Sequence, residues 1–282
     1  MGPNDRISQM TLPILYQGSG GTIGDLFLSS HIMYHQHTLG RSISVAIPKS
    51  LPITLKDLYY RHNFLKSIIE MDDISTIPYL TYCTQNRYES SLHITDLKYI
   101  KNVFHPLHEW FEYNEPTKPT IEPECIGFHI TSTSNYDRPA IPHLDQYLDK
   151  CWSNKIKVVF MGSPKDEKLF NSLYPWAREM SFQNESYRFN DTLLQTIANI
   201  KTMRGMITFS SFSAYIAVLQ GVPTIELWCS NQWQMFSRLV AQMIGSPAHY
   251  VQCHYLDEPS PYFPEVYVWM KNYATNLYPG VQ

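Results

Sequence analysis

Three short segments combine glycines, hydroxyls and acids at points where an apolar run gives way to a helical pattern. The first is residues 18–25, GSGGTIGD. Glycines permit a tight turn and close approach to the backbone, and a helix start offers free N–H groups to an anion. A phosphate-cradling P-loop requires Lys and Ser/Thr after the last glycine, and Asp25-Leu26 stands there instead, which excludes it. A dinucleotide fingerprint needs a different glycine spacing and an acid about 20 residues further on. Two readings of Asp25 remain open. It is a general base at the first turn of a helix facing a cleft, or it caps the helix and complements its dipole.

The second segment, 205–228, reads GMITFSSFSAYIAVLQGVPTIELW, a strand, a small polar turn, a helix and a strand. Ser210, Ser211 and Ser213 stand where the helix begins, so hydroxyls and unpaired amides converge on a site suited to phosphate, although serine there is more often a simple cap. The third, 161–167, MGSPKDE, is another strand-to-helix junction, whose acids Asp166 and Glu167 could hold a ribose. His31 and His35 lie four apart, with His37 nearby, a spacing that zinc could use. No acid lies between them and no further ligand cluster is evident, so they read as surface or cleft histidines, with contact to an acceptor as the functional alternative for His31 or His35.

The elements that must position these residues follow from periodicity. Residues 12–16 form an apolar run, 25–38 carries Leu26, Phe27, Ile32 and Met33 at helical spacing, and 42–47 is a second strand. The stretch up to 113 is ambiguous, with helical character over 91–111. Three prolines between 116 and 123 favour an extended connector. The boundary therefore falls there, dividing the chain into 1–115 and 116–282. Beyond it, strands at 125–130, 156–161, 206–209 and 223–227 alternate with helices at 144–152, 166–173, 192–200 and 213–220. This pattern predicts an α/β fold with a parallel, doubly wound sheet. Residues 264–277 read as a closing C-terminal helix.

Composition narrows the function. The chain has 282 residues, 44% hydrophobic and 17% charged, with formal charge −3, values of a globular protein with a sizeable core. A basic surplus of the kind that grips nucleic acid is missing, so nucleic acid is not the expected partner. Five scattered cysteines without a CxxC pair argue against a disulfide framework or zinc ribbon. The N-terminus has no apolar stretch of signal-peptide length, and nowhere do 18 apolar residues run together. The expectation is a cytoplasmic protein without a membrane span, with peripheral membrane contact possible.

Taken in order, these segments resemble the GT-B glycosyltransferases of the heptosyltransferase type, the family 9 enzymes that build lipopolysaccharide from nucleotide-activated sugars. Residues 12–30, LPILYQGSGGTIGDLFLSS, are similar to the family's opening strand, glycine turn, Gly-Asp and helix. Its C-terminal signatures are matched by 162–167, by 194–198, by 210–215, and by Gly221-Val222-Pro223-Thr224. Where the family has Asp, Gly and His in the phosphate turn, this chain has Ser210, Phe212 and Tyr215, which leaves the ADP-heptose donor of the family open. The N-terminal domain is also short for the group.

The resemblance implies two Rossmann-like domains facing across a cleft. It implies Asp25 as catalytic base on the acceptor side, with Gly20, Gly21 and Gly24 in the glycine turn and His31 close by. Ser210, Ser211, Ser213 and Tyr215 would bind the donor diphosphate. Gly162, with Asp166 or Glu167, would hold the nucleoside, and Thr131, Ser132 and Arg138 would supply further phosphate contacts. The reaction would be inverting transfer from a nucleotide-diphosphate sugar to a glycan or glycolipid hydroxyl. No Asp-x-Asp clip is present, so neither metal nor other cofactor is expected. Two alternatives remain: a weakened relative that binds nucleotide or sugar without turnover, and a transferase acting on DNA bases, which the charge balance disfavours.

Overall fold

The computed structural model describes residues 14–18, 23–75, 77, 104–113, 119, 125–131, 144–153, 156–178, 187–209, 211–228 and 250–254. They fall into two compact units, one within Met1–Glu112 and one within Tyr113–Gln282.

In the first unit, strands β1 (Ile14–Gln17), β2 (Ile43–Pro48) and β3 (Leu65–Met71) form a parallel sheet in that order. Helices α1 (Ile23–Thr38) and α2 (Ile53–Tyr60) make the two crossovers. β2 is central and buried over five of its six residues, as its unbroken apolar sequence requires. β3 was not foreseen. Its Lys66, Ser67 and Glu70 are exposed at the sheet edge, so the strand lacks the apolar run that marks a buried one.

α1 buries Leu26, Phe27, Ile32 and Met33. Phe27 meets the Phe111 ring edge-on at 5.0 Å, just beyond the short helix α3 (Leu107–Trp110). α1 begins two residues earlier than its periodicity suggested, which places Gly24 and Asp25 in its first turn. It ends in a Schellman motif at Gly40, whose φ of 85° suits glycine; Gly40 N donates to His37 O and Arg41 N to Gln36 O.

The second unit carries a six-stranded, fully parallel sheet among its described residues. Its strands are β4 (Ile126–His129), β5 (Val158–Met161), β6 (Tyr187–Arg188), β7 (Gly205–Phe209), β8 (Thr224–Trp228) and β9 (Tyr250–His254), in the order β6-β5-β4-β7-β8-β9. Counted from β4, this is the 3-2-1-4-5-6 order of doubly wound nucleotide-binding sheets, in which winding reverses between the first and fourth strands. Here those strands are β4 and β7.

Helices α4 (Leu144–Ser153), α5 (Pro164–Leu173), α6 (Leu193–Thr202) and α7 (Phe212–Leu219) fill the four crossovers from β4 to β8. The core packs Ile126, Phe128 and Ile130 against Val158, Phe160, Phe170, Ile207, Phe209 and Ile225. α7 is apolar and buried from Ser213 to its end, and it too closes in a Schellman motif, with Gly221 at φ 75°. Cys125 and Cys151 are buried free thiols, pushed up by burial to about 12. The expected 264–277 helix and most of 91–111 lie outside the described residues.

Candidate functional site

At the reversal point the carboxyl ends of β4 and β7 lie side by side, with His129 registered beside Thr208 and Thr208 beside Glu226 on β8. His129, Thr208 and Glu226 are all buried. Four side chains from three elements form one polar cluster. His129 Nδ1 lies 2.6 Å from Ser213 Oγ and 3.3 Å from Ser211 Oγ. Ser213 Oγ lies 2.6 Å from Ser211 Oγ and 2.9 Å from Thr208 Oγ1. The Thr208 hydroxyl itself donates to the Phe209 carbonyl at 2.7 Å.

Ser211 occupies the N-cap position of α7, yet its side chain makes no capping hydrogen bond. A serine there normally accepts from an amide in the first turn. Turned into the cluster instead, Ser211 links the buried hydroxyls to the surface, because it is half-buried while Ser213 is fully enclosed. Ser213, expected from the sequence to contact a diphosphate directly, has no exposed surface, whereas Ser211 beside it does. Enclosure also rules out Ser213 as an attacking nucleophile, despite a Ser-His-Asp arrangement that otherwise resembles a hydrolase triad.

On the other side of His129, Nε2 lies 3.8 Å from Asp166 Oδ2. Asp166 is the third residue of α5 and completes a capping box: its Oδ2 accepts from Ser163 N at 2.7 Å and Ser163 Oγ at 2.6 Å, and Ser163 Oγ accepts from Asp166 N. Burial raises the Asp166 carboxyl, but the His129 imidazole and the Ser163 hydroxyl and amide outweigh it and hold the group below the usual carboxylate range. Gly162 makes this possible. A Cβ built there would stand 2.8 Å from Asp166 Cβ, so only glycine lets the carboxylate fold over the end of β5. The neighbouring Glu167 is half-buried, Thr131 is buried just past β4, and Tyr215 is buried within α7.

Sequence reasoning selected Gly162, Asp166, Ser211 and Ser213, and the structure brings Asp166 and both serines to His129, which it had passed over. The available signal was a histidine in the otherwise apolar run IGFHI at the end of a parallel strand. Ser132, Arg138 and Ser210 lie outside the described residues, as do Gly20 and Gly21.

In the first unit, Gly18 N donates to Ala46 O at 2.7 Å, and a Cβ on Gly18 would fall 2.7 Å from Ile47 Cγ2. The chain leaves β1 at this close approach and enters the α1 turn that carries Gly24 and Asp25. His31 and His35 are not surface histidines. Both are buried; His31 Nε2 accepts from His105 N at 3.2 Å, and His35 Nδ1 lies 3.1 Å from His105 Nε2. Burial, then the charges of His105 and His35, lower His31 to about 3; burial and His35 lower His105 to about 4. His31 is therefore a neutral core residue, enclosed with Trp110 at its edge, instead of an acceptor contact. His37 alone of the three on α1 is exposed. Among the described residues no group of three or more His, Cys, Asp or Glu is arranged to hold a metal ion, and no helix is long and apolar enough to cross a membrane.

No protein-family model matches the sequence, and no curated protein matches it. Solved structures do. A family 9 glycosyltransferase from Veillonella parvula DSM 2008 superposes with a TM-score of 0.58 at 13% identity, over 94% of this chain and 90% of that one. The E. coli ADP-heptose LPS heptosyltransferase II gives 0.57 at 12% identity, over 94% and 99%. The E. coli heptosyltransferase WaaC, solved with ADP, gives 0.55 at 9%, over 93% and 100%. The fold is therefore the GT-B-like α/β fold of the family 9 heptosyltransferases.

Proposed function

We propose that the chain is a glycosyltransferase that moves a sugar from a nucleotide-diphosphate donor to the hydroxyl of a glycan or glycolipid, with inversion and without a metal. The observation that carries this reading is the Ser211–Ser213–Thr208–His129 cluster at the β4/β7 reversal point of a sheet wound in dinucleotide-binding order. In such sheets ligands lie outside the carboxyl ends of the strands where winding reverses, and hydroxyls at a helix start suit an anion. An ADP-sugar is the first donor to test, because one structure sharing the fold was solved with ADP.

Transfer needs two functions from the chain. A base must take the acceptor proton as the hydroxyl attacks the anomeric carbon. Asp25, in the first turn of α1, is assigned that role. The departing diphosphate must be stabilised, which falls to Ser211 and the start of α7, with Thr131, Ser132, Ser210 and Arg138 as further phosphate contacts and Glu167 on the nucleoside. This reading places the work at the cytoplasmic side.

A thermal-shift screen of ADP-, UDP-, GDP- and CDP-sugars tests the reading. A donor at about 100 times its Kd should stabilise the native chain by about 2.7 kcal/mol. No shift with any nucleotide sugar, together with no transfer or hydrolysis, refutes it.

A further inference from the structure

The turn after β6 carries a carboxylate that neither the following helix nor the β4/β7 cluster uses. Asp191 stands immediately before Thr192, the N-cap residue of α6, and Thr192 Oγ1 already supplies the cap by accepting from Gln195 N at 3.2 Å. Asp191 is held by the interior of α6 instead. Its Oδ2 accepts from Asn199 Nδ2 at 2.7 Å, and Asn199, with no exposed surface, accepts in turn at Oδ1 from Gln195 Nε2 at 3.4 Å. A carboxylate only accepts, so the donor direction along this chain is fixed. A buried amide is costly to leave unpaired, and here it is given to one oxygen of a half-buried acid. No other hydrogen bond to the Asp191 carboxylate occurs among the described residues, which leaves Oδ1 available. Burial raises the carboxyl, with the Arg188 charge and the Asn199 amide acting the other way.

This acid lies at the same carboxyl edge of the sheet as the candidate site. Met161 on β5 is registered beside Arg188 on β6, and Gly162 N donates to Arg188 O at 3.2 Å, so the turns that carry Gly162 and Asp191 leave the sheet side by side. With strands about 4.8 Å apart, β6 stands about 12 Å from the β4/β7 reversal point. A nucleoside diphosphate with its phosphates at that point and its ribose over β5 extends its base to β6. Asp166, nearer the reversal point, folds back on Ser163 and faces His129.

Resting on the nucleotide-diphosphate reading above, we propose that Asp191 reads the donor's nucleobase, its Oδ1 accepting from an exocyclic amino group and so selecting adenine, cytosine or guanine over uracil. An amino group offers hydrogens to the carboxylate, whereas a carbonyl in the same place sets one acceptor against another and leaves both unpaired. Uracil offers its one ring N–H only between two carbonyl oxygens.

The test is calorimetric titration of the full chain with inorganic pyrophosphate and with ADP, GDP, IDP, CDP and UDP. ADP and GDP each carry an amino group that IDP lacks, and CDP carries one that UDP lacks, so each pair isolates that group on a ring of one size. In at least one pair the amino member should bind about tenfold tighter, the size of a hydrogen bond to a charged group. Asp191→Asn, of the same shape but carrying donors, should erase that preference and leave pyrophosphate affinity unchanged. Asp191→Ser, too short to reach the base, repeats the comparison where the asparagine variant does not fold. Pairs that bind alike in the unmodified protein, a preference that survives substitution, or an equal loss of pyrophosphate affinity overturns the assignment of Asp191 while leaving the nucleotide reading in place. Binding by none of the five nucleotides overturns both.

Discussion

Ser213 Oγ lies 2.6 Å from His129 Nδ1 across a separation of 84 residues, joining the start of α7 to the end of β4 at the point where the sheet reverses its winding. That contact makes the serines of the 210–213 turn members of a buried polar chain and not only helix caps. It also ties the chemistry of α7 to the capping box of α5, because the same imidazole faces Asp166.

Gly162→Ala and Ser163→Ala separate the two roles of Asp166. The alanine Cβ at 162 meets the Asp166 side chain at 2.8 Å and must displace it, which lengthens the His129–Asp166 contact and reduces nucleotide affinity. Ser163→Ala removes the cap and should cost about 1 kcal/mol in denaturant unfolding. If Gly162→Ala leaves nucleotide affinity unchanged, Asp166 has no part in the site.

The first unit should be acid-labile. Burial, with the charges of His105 and His35, holds His31 at about 3; burial holds His62 at about 4, and burial with the charge of His35 holds His105 at about 4, against 6.5 for a freely solvated histidine. The unfolded chain therefore binds more protons than the native one below pH 6.5. Stability is full above that value and falls as pH drops from 6.5 toward 4. Near-UV circular dichroism, which sums over the chain's aromatic side chains with Trp110 among them, should report a falling Tm over this range; a Tm flat between pH 7 and 4.5 would show that these histidines are already hydrated.

Two glycines with crowded surroundings should respond differently to alanine. At Gly18 the added Cβ meets the branched Ile47 side chain at 2.7 Å and the Ala46 carbonyl at 3.1 Å, a neighbour fixed by β2, and overpacking of this kind costs about 1–3 kcal/mol. At Gly127 the nearest atoms are the sulfurs of Met203 and Met206, flexible side chains that can move aside. Urea midpoints should fall further for Gly18→Ala than for Gly127→Ala, and the reverse order would contradict the packing.

Asp25→Asn should lower kcat about 10²–10⁴-fold, the usual contribution of a general base, while nucleotide affinity stays within about twofold. A variant with normal turnover would return Asp25 to a helix-capping role.

Much of this architecture was legible along the chain because it is written in local periodicity. Strands β4, β5, β7 and β8 are short apolar runs closed by turn residues, and each was located to within about two residues of its observed limits. β3, β6 and β9 were not: β3 shows its polar face at a sheet edge, β6 is only two residues long, and β9, YVQCH, mixes polar with apolar residues instead of forming an apolar run. The site was half legible. Serines at a helix start and acids after a strand can be seen in sequence, whereas their meeting at His129 depends on the pairing of β4 with β7, a long-range relationship that no window contains. His31 and His35 were misplaced for the same reason: His105, against both rings, and Trp110, against His31, lie some seventy residues away.

The most direct measurement is a crystal structure of the protein with the nucleoside diphosphate that the thermal screen selects. The account predicts the diphosphate at the carboxyl ends of β4 and β7, with a phosphate oxygen within hydrogen-bond distance of Ser211 Oγ and the His129 ring behind it. A nucleotide seated in the first unit, or at the amino ends of these strands, would contradict it.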